Sequence, residues 1–186
     1  MGLLALSLLF VGIVLFVNGM GRIKNIDPKS TAVLNLIVGF IIISGNLMAM
    51  GKAADIMAYQ NIASGYLFGF TYIFIFANSM FDLDLKPFGW FSLFAAIYAC
   101  VMGILALGIS PSIMESDIWG GTSLVAAVAD YKFAYLWFMW TILWLSGFVE
   151  IICNVKMAKI APYIVMVEGI FAAFIPSILM FLGLWA

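Results

Sequence analysis

Apolar residues dominate this chain in runs of about twenty, broken at intervals by short stretches that carry nearly all the charge. Helix is the natural conformation for such a run in lipid, because it satisfies its own backbone groups, and about twenty residues span the hydrocarbon core. The strict polar–apolar alternation of a lipid-facing barrel strand is absent. The pattern predicts an all-α integral membrane protein with six transmembrane helices, over 3–20, 31–50, 61–81, 88–108, 133–152 and 162–185. The first run has no basic leader and no small-residue cleavage site, so it reads as the first helix of one domain, 1–186, rather than a signal peptide.

Within the fifth span the pattern is more specific. In FAYLWFMWTILW, Phe133, Trp137, Trp140 and Trp144 recur at steps of three and four and share one helix face. Membrane tryptophans usually lie at the two water interfaces, yet this column runs through the middle of the span. A packing seam against a neighbour or lipid is the plain explanation. On the third span, however, Phe68 and Tyr72 also share a face, and Leu8, Val11 and Leu15 make an aliphatic stripe on the first. Together these faces are able to line a narrow, largely apolar tube.

Composition narrows the chemistry. The chain is 66% hydrophobic and 9% charged, whereas about a quarter of a soluble domain is charged. Net charge is −1, which leaves no basic footprint for nucleic acid. There is no histidine, which excludes His-ligated metal or haem and Ser/His catalysis, and an isolated cysteine has no base to activate it. Cys100 and Cys153 form no CxxC pair. No cofactor is expected, and the chain does not read as an enzyme.

Arg22, Lys24, Lys29, Lys86, Lys156 and Lys159 flank the first, third and fifth connections, against Lys52 and Lys132 for the second and fourth. This asymmetry puts the odd connections in the cytoplasm and both termini outside. The fourth connection, 109–132, is the long one; its apolar part, 123–129, either lies on the membrane or begins the fifth span early. Ser44-Gly45-Asn46 and Ser146-Gly147-Phe148 are a slender hint of a 3+3 inverted repeat. Gly12, Gly39, Gly45, Gly69, Gly103 and Gly147 read as points of close helix approach, and Asn18 and Asn46 as inter-helix hydrogen-bonding groups.

Two carboxylates lie at membrane depth. An ionisable group there is expensive, so it is a functional candidate by default. Glu150 sits near the end of its span, close to Lys156 and to water. Glu168 is about two turns into span six and is the stronger candidate. A bare ion is a poor guest for the tube, since no ring of charges or carbonyls offsets its dehydration. Urea and short amides fit better: flat rings face their plane, while Glu168, Tyr72 or indole N–H groups meet their polar edges.

Six segments taken together, VGIVLFVNG (11–19), IDPKSTAVLN (26–35), LFGFTY (67–72), WFSLF (90–94), WL (144–145) and EGIFAAFIP (168–176), resemble the AmiS/UreI family of urea channels and amide transporters. The resemblance implies a bacterial inner-membrane homo-oligomer, a hexamer around a lipid-filled centre in which each six-helix protomer has its own pore. It also implies passive flow of urea or short aliphatic amides such as acetamide and formamide, and a functional link to a cytoplasmic urease or amidase. It puts an outer constriction on Leu4, Leu8, Phe68, Phe133, Trp137 and Trp140, and an inner one on Val11, Leu15, Tyr72, Leu143, Trp144 and Glu168.

The chain departs from that pattern in two places. Phe133 stands where acid-gated relatives have tryptophan. Those relatives also carry outer-loop histidines, the side chains suited to switching between about pH 5 and 8. Here the outer carboxylates are Asp55, Glu115, Asp117 and Asp130. The expectation is a channel without acid gating. Its rivals are a proton-coupled transporter using Glu168 or Glu150, an intramembrane enzyme, and an accessory subunit with no pore.

Overall fold

The computed structural model describes residues 2–108 and 129–185. Its helices are α1 (Gly2–Ile23), α2 (Pro28–Met50), α3 (Ile56–Phe81), α4 (Lys86–Ala106), α5 (Tyr131–Ile151), α6 (Ala161–Gly169) and α7 (Ile175–Phe181), the last two joined without a break by a π-helical turn, Ile170–Phe174. They make six spans long and apolar enough to cross a membrane, the sixth running Ala161–Phe181. Each expected span is present, with shifted ends. The third begins five residues earlier than expected, at Ile56 rather than 61, because Asp55 caps it, accepting from the Ala58 N–H at 2.8 Å. The sixth ends at Phe181, four residues short of 185.

The turns after α1, α3 and α5 are built alike. Asn25, Asp82 and Asn154 adopt the left-handed conformation, at φ 53°, 51° and 55°, which Asn and Asp tolerate better than other non-glycine residues. After two of them the chain folds back onto the helix end, Ile26 N–H to Gly21 C=O and Leu83 N–H to Asn78 C=O, closing a Schellman-type cap.

The spans are ordered around a common interior with alternating tight and loose seams. α2 lies against α3, α4 against α5, and α1 against the sixth span; α3–α4 and α5–α6 touch far less. A 3+3 repeat would match α2–α3 with α5–α6, so this pairing does not follow it. Glycines make the tight seams. A Cβ on Gly12 would lie 2.7 Å from the Phe174 nitrogen and 2.8 Å from the Gly169 oxygen, and one on Gly169 would lie 2.9 Å from the Gly12 oxygen. Gly39, Gly69 and Gly103 likewise take in Ile73, Ile43 and Phe138. Gly147 is looser, 3.4 Å from Ser92 Oγ.

The interior side chains are largely apolar. Leu8, Val11, Val14, Val38, Ile42, Tyr72, Leu136, Trp140 and Trp144 are all buried, while Phe40, Phe94, Phe171 and many other large apolar side chains face outward. Outward-facing greasy residues fit a bilayer solvent.

Candidate functional site

The central cavity has a volume of about 800 Å³. It opens beside the N-terminus of α1, the α2–α3 connection and the start of α5, where Leu3, Lys52, Ala53 and Phe133 line it. Its walls are mainly aliphatic and aromatic, with Ser7, Asn46, Lys52, Gln60, Asn61 and Ser64 as the polar groups. It ends on Val11, Phe68, Trp137 and Trp140. The residues expected at the outer constriction, Leu4, Leu8, Phe68, Phe133, Trp137 and Trp140, therefore line one cavity.

The floor is a continuous chain of rings. Tyr98 meets Trp137 edge to face at 5.9 Å between centroids, Trp137 meets Trp140 at 4.9 Å, and Trp140 meets Phe68 at 4.8 Å. Phe68 then reaches Trp144, also at 4.8 Å, tilted by 46°. Edge-to-face contact at these distances is the favoured packing of aromatic quadrupoles. The rings thus touch one another rather than forming two parallel walls with a gap between.

Of the residues expected at an inner constriction, only Val11 borders the cavity. Leu15, Tyr72, Trp144 and Glu168 lie in the interior with little solvent access, and Leu143 is half-buried against the same core. The cavity does not extend to them.

Both buried indoles are fixed by hydrogen bonds across the bundle. Trp144 Nε1 donates to Thr71 Oγ1 at 3.0 Å, and Thr71 Oγ1 itself donates to the Leu67 carbonyl at 2.7 Å. Trp140 Nε1 donates to the Ala172 carbonyl at 3.2 Å. A buried indole N–H left without a partner would cost about 1–3 kcal/mol, so Thr71 and Ala172 set the two ring orientations. Sequence reading missed both. Ser64, Thr71 and Asn78 recur at a seven-residue spacing on α3 and are all buried; that inward polar stripe was the available signal. Ser64 Oγ pairs with Tyr98 Oη at 2.8 Å, which carries the same stripe into the ring chain.

The two acidic candidates separate. Glu150 forms a two-pronged pair with Arg22, Nη1 to Oε2 at 3.1 Å and Nη2 to Oε1 at 2.5 Å. Its partner is thus Arg22 of α1, not Lys156; the helix ends bring a distant cation nearer than the sequence neighbour. Glu168 is 2% exposed, and its Oε2 has no hydrogen-bond partner. Asn18 and Asn35 exchange two amide bonds of 2.9 Å between α1 and α2, as expected for Asn18. Asn46 instead donates to its own helix, to Ile42 C=O at 2.8 Å, and borders the cavity. Asp55 and Asp130 act as helix caps, Asp130 accepting from the Phe133 N–H at 3.0 Å. Glu115 and Asp117 lie outside the described residues. Among the described residues, no group of three His, Cys, Asp or Glu side chains is placed to hold a metal ion.

Six membrane-length helices around a cavity floored by aromatic rings define a polytopic membrane protein. Comparison with known proteins agrees. The family model for AmiS/UreI family transporters matches residues 3–184, and the chain belongs to that family. The acid-activated urea channel of Helicobacter pylori is 33% identical, the alignment covering 98% of this chain and all of the relative. A putative amidate substrates transporter protein of Mycolicibacterium smegmatis is 29% identical over 96% of this chain and 76% of its own length. The crystal structure of the H. pylori urea channel matches with a TM-score of 0.81 and 36% identity, over 98% of this chain and 99% of that one. The cryoEM structure of the same channel in a closed state also matches with a TM-score of 0.81, at 35% identity.

Proposed function

We propose that the protein is a passive channel for urea and short aliphatic amides in the bacterial cytoplasmic membrane, with both termini outside and no acid gate near neutral pH. The observation that carries this reading is the cavity floored by Phe68, Trp137 and Trp140. A pocket floored by large rings, with no ring of charges among its lining residues, suits a flat neutral solute better than an ion that must shed its water. The names of the relatives, a urea channel and an amidate transporter, point to the same solute class.

In this reading the outer constriction is Leu4, Leu8, Phe68, Phe133, Trp137 and Trp140, and the inner one is Val11, Leu15, Tyr72, Leu143, Trp144 and Glu168. Passage past Phe68 takes a small shift of rings now in contact. Absence of gating rests on the lack of histidine and on Asp55 and Asp130 being engaged as helix caps. The working form is a homo-oligomer, a hexamer by family resemblance, acting beside a cytoplasmic urease or amidase and without catalysis of its own.

Stopped-flow uptake by proteoliposomes, comparing urea, acetamide, formamide and glycerol at neutral and mildly acid pH, tests the proposal. Urea and the amides are expected to equilibrate faster than glycerol, with urea flux changing by less than about twofold between the two pH values. A steep rise in acid would overturn the ungated reading, and permeability equal to empty vesicles would overturn the channel itself.

One observation favours a proton-coupled transporter instead: the unpartnered buried oxygen of Glu168. The ion pair with Arg22 argues against Glu150 in that role. Coupling predicts uptake against a gradient under an imposed proton gradient, abolished by a protonophore; a channel predicts equilibration that ignores both.

A further inference from the structure

The sixth span holds an unusual backbone feature. In an α-helix the Ala172 carbonyl would accept from the N–H of residue 176, but that residue is Pro176, which has none. In the π-helical turn the Ile175 N–H reaches back to the Ile170 carbonyl, so it does not serve Phe171 either. Phe171 would then need the residue-176 N–H, which is missing. The Phe171 and Ala172 carbonyls thus both lose their α-helical donors, the first to the shift in register and the second to the proline. Helix α5 supplies a side chain to each: Tyr135 Oη donates to Phe171 C=O at 3.3 Å, and Trp140 Nε1 donates to Ala172 C=O at 3.2 Å.

Resting on the channel reading above, we infer that the Ala172 carbonyl freed by Pro176 is a selectivity station, an acceptor that solute N–H groups take over from the indole of Trp140. Three observations place it. Trp140 forms part of the cavity floor, so the carbonyl lies one hydrogen bond behind the surface a solute meets. Gly12 of α1 packs near Phe174 and Gly19 near Pro162, so α1 and the sixth span run antiparallel. Helix carbonyls point toward the C-terminal end, which is therefore the end at which the cavity opens. Finally, Glu168 precedes Ala172 by four residues and shares its helix face, and its Oε2 is also without a partner.

Two acceptors on one face of the sixth span, one of them bonded to Trp140, match a molecule that carries N–H groups in its plane. The exchange is close to even. The solute N–H takes the carbonyl while the displaced indole N–H turns to the solute's own carbonyl oxygen, so no donor is left without an acceptor, and at 3.2 Å the indole bond given up is at the long end of the normal range. A solute without hydrogen-bond donors leaves the indole in place and meets a shut floor. The station thus explains selection by donors as well as by flatness.

Two changes should act in opposite directions on the ratio of urea to water permeability in proteoliposomes. Pro176→Ala lets the span return to α-helical register, in which the residue-176 N–H takes the Ala172 carbonyl, and should lower the ratio by about three- to tenfold. Replacing Trp140 by benzothienylalanine keeps the bicyclic shape, removes the N–H competitor and should raise the ratio by a few-fold. The benzothienylalanine protein also keeps the inference testable should Pro176→Ala fail to assemble. Equal ratios in wild type and the benzothienylalanine protein, or a rise in Pro176→Ala, would overturn the station. Failure of the wild-type protein to conduct urea or acetamide at all would overturn the channel reading instead, so the two failures are distinct.

Discussion

At the scale of single residues, the indole hydrogen bonds decide how the ring chain is held. Thr71→Val keeps volume and shape but leaves Trp144 Nε1 without its acceptor at 3.0 Å. A loss of about 1–3 kcal/mol is expected, read as a lower unfolding temperature in detergent, together with slower or less selective urea flux. Trp144→Ala removes the ring itself, and should weaken discrimination between urea and bulkier amides; unchanged sieving in a folded variant would remove Trp144 from the path. Glu168→Gln keeps shape and one acceptor oxygen while removing charge. Passive flux is expected to persist in that variant, whereas a coupled carrier would lose uptake under a proton gradient. The ring column itself was legible in the sequence, because Phe133, Trp137, Trp140 and Trp144 obey helical spacing. The partners of Trp140 and Trp144 were not. One is a hydroxyl 73 residues away in sequence, and the other is a main-chain oxygen, which no side-chain pattern announces.

At the scale of elements, glycine sets how near two helices come. Gly12 of α1 and Gly169 of α6 each leave backbone atoms within about 3 Å of where a Cβ would sit, so there is no side chain to give way. Gly12→Leu should prevent α1 from docking and abolish recovery of folded protein from membranes, while Gly147→Ala, at 3.4 Å from Ser92, should be tolerated. Detergent-extracted yield and size-exclusion profile compare the two. The number of spans was legible because each is apolar along most of its length, and the ends were not, because caps decide them: Asp55 extends α3 upstream, where 56–60 looked like a connection. The π turn was also out of reach. Pro176 is visible in the sequence as a place where the ladder must fail, but how the chain resolves that failure depends on Tyr135 and Trp140 from another span.

At the scale of the whole molecule, tight seams alternate with loose ones around the bundle. The α5–α6 seam is sparse in backbone contact and is bridged by the Tyr135 and Trp140 bonds. Arg22 and Glu150 add a tie between α1 and α5. That pair is partly exposed, so it contributes about 0–1 kcal/mol. Glu150→Gln should leave urea permeability within about twofold of wild type, measured by light scattering with and without a protonophore. Fold class, span count and family were all readable from the chain, because lipid imposes a simple rule on every element. The one-sidedness of the interior was not, since it depends on how far each helix end stands from the shared axis.

Among the described residues the cavity opens at one end of the bundle, and that asymmetry has a thermodynamic limit. A funnel catches visitors from its broad mouth more often than from its narrow end, yet each visitor crosses the same barrier in both directions. Shape alone therefore gives no preferred direction. Any lasting inward current through such a passage must be drawn by whatever destroys the cargo on the far side.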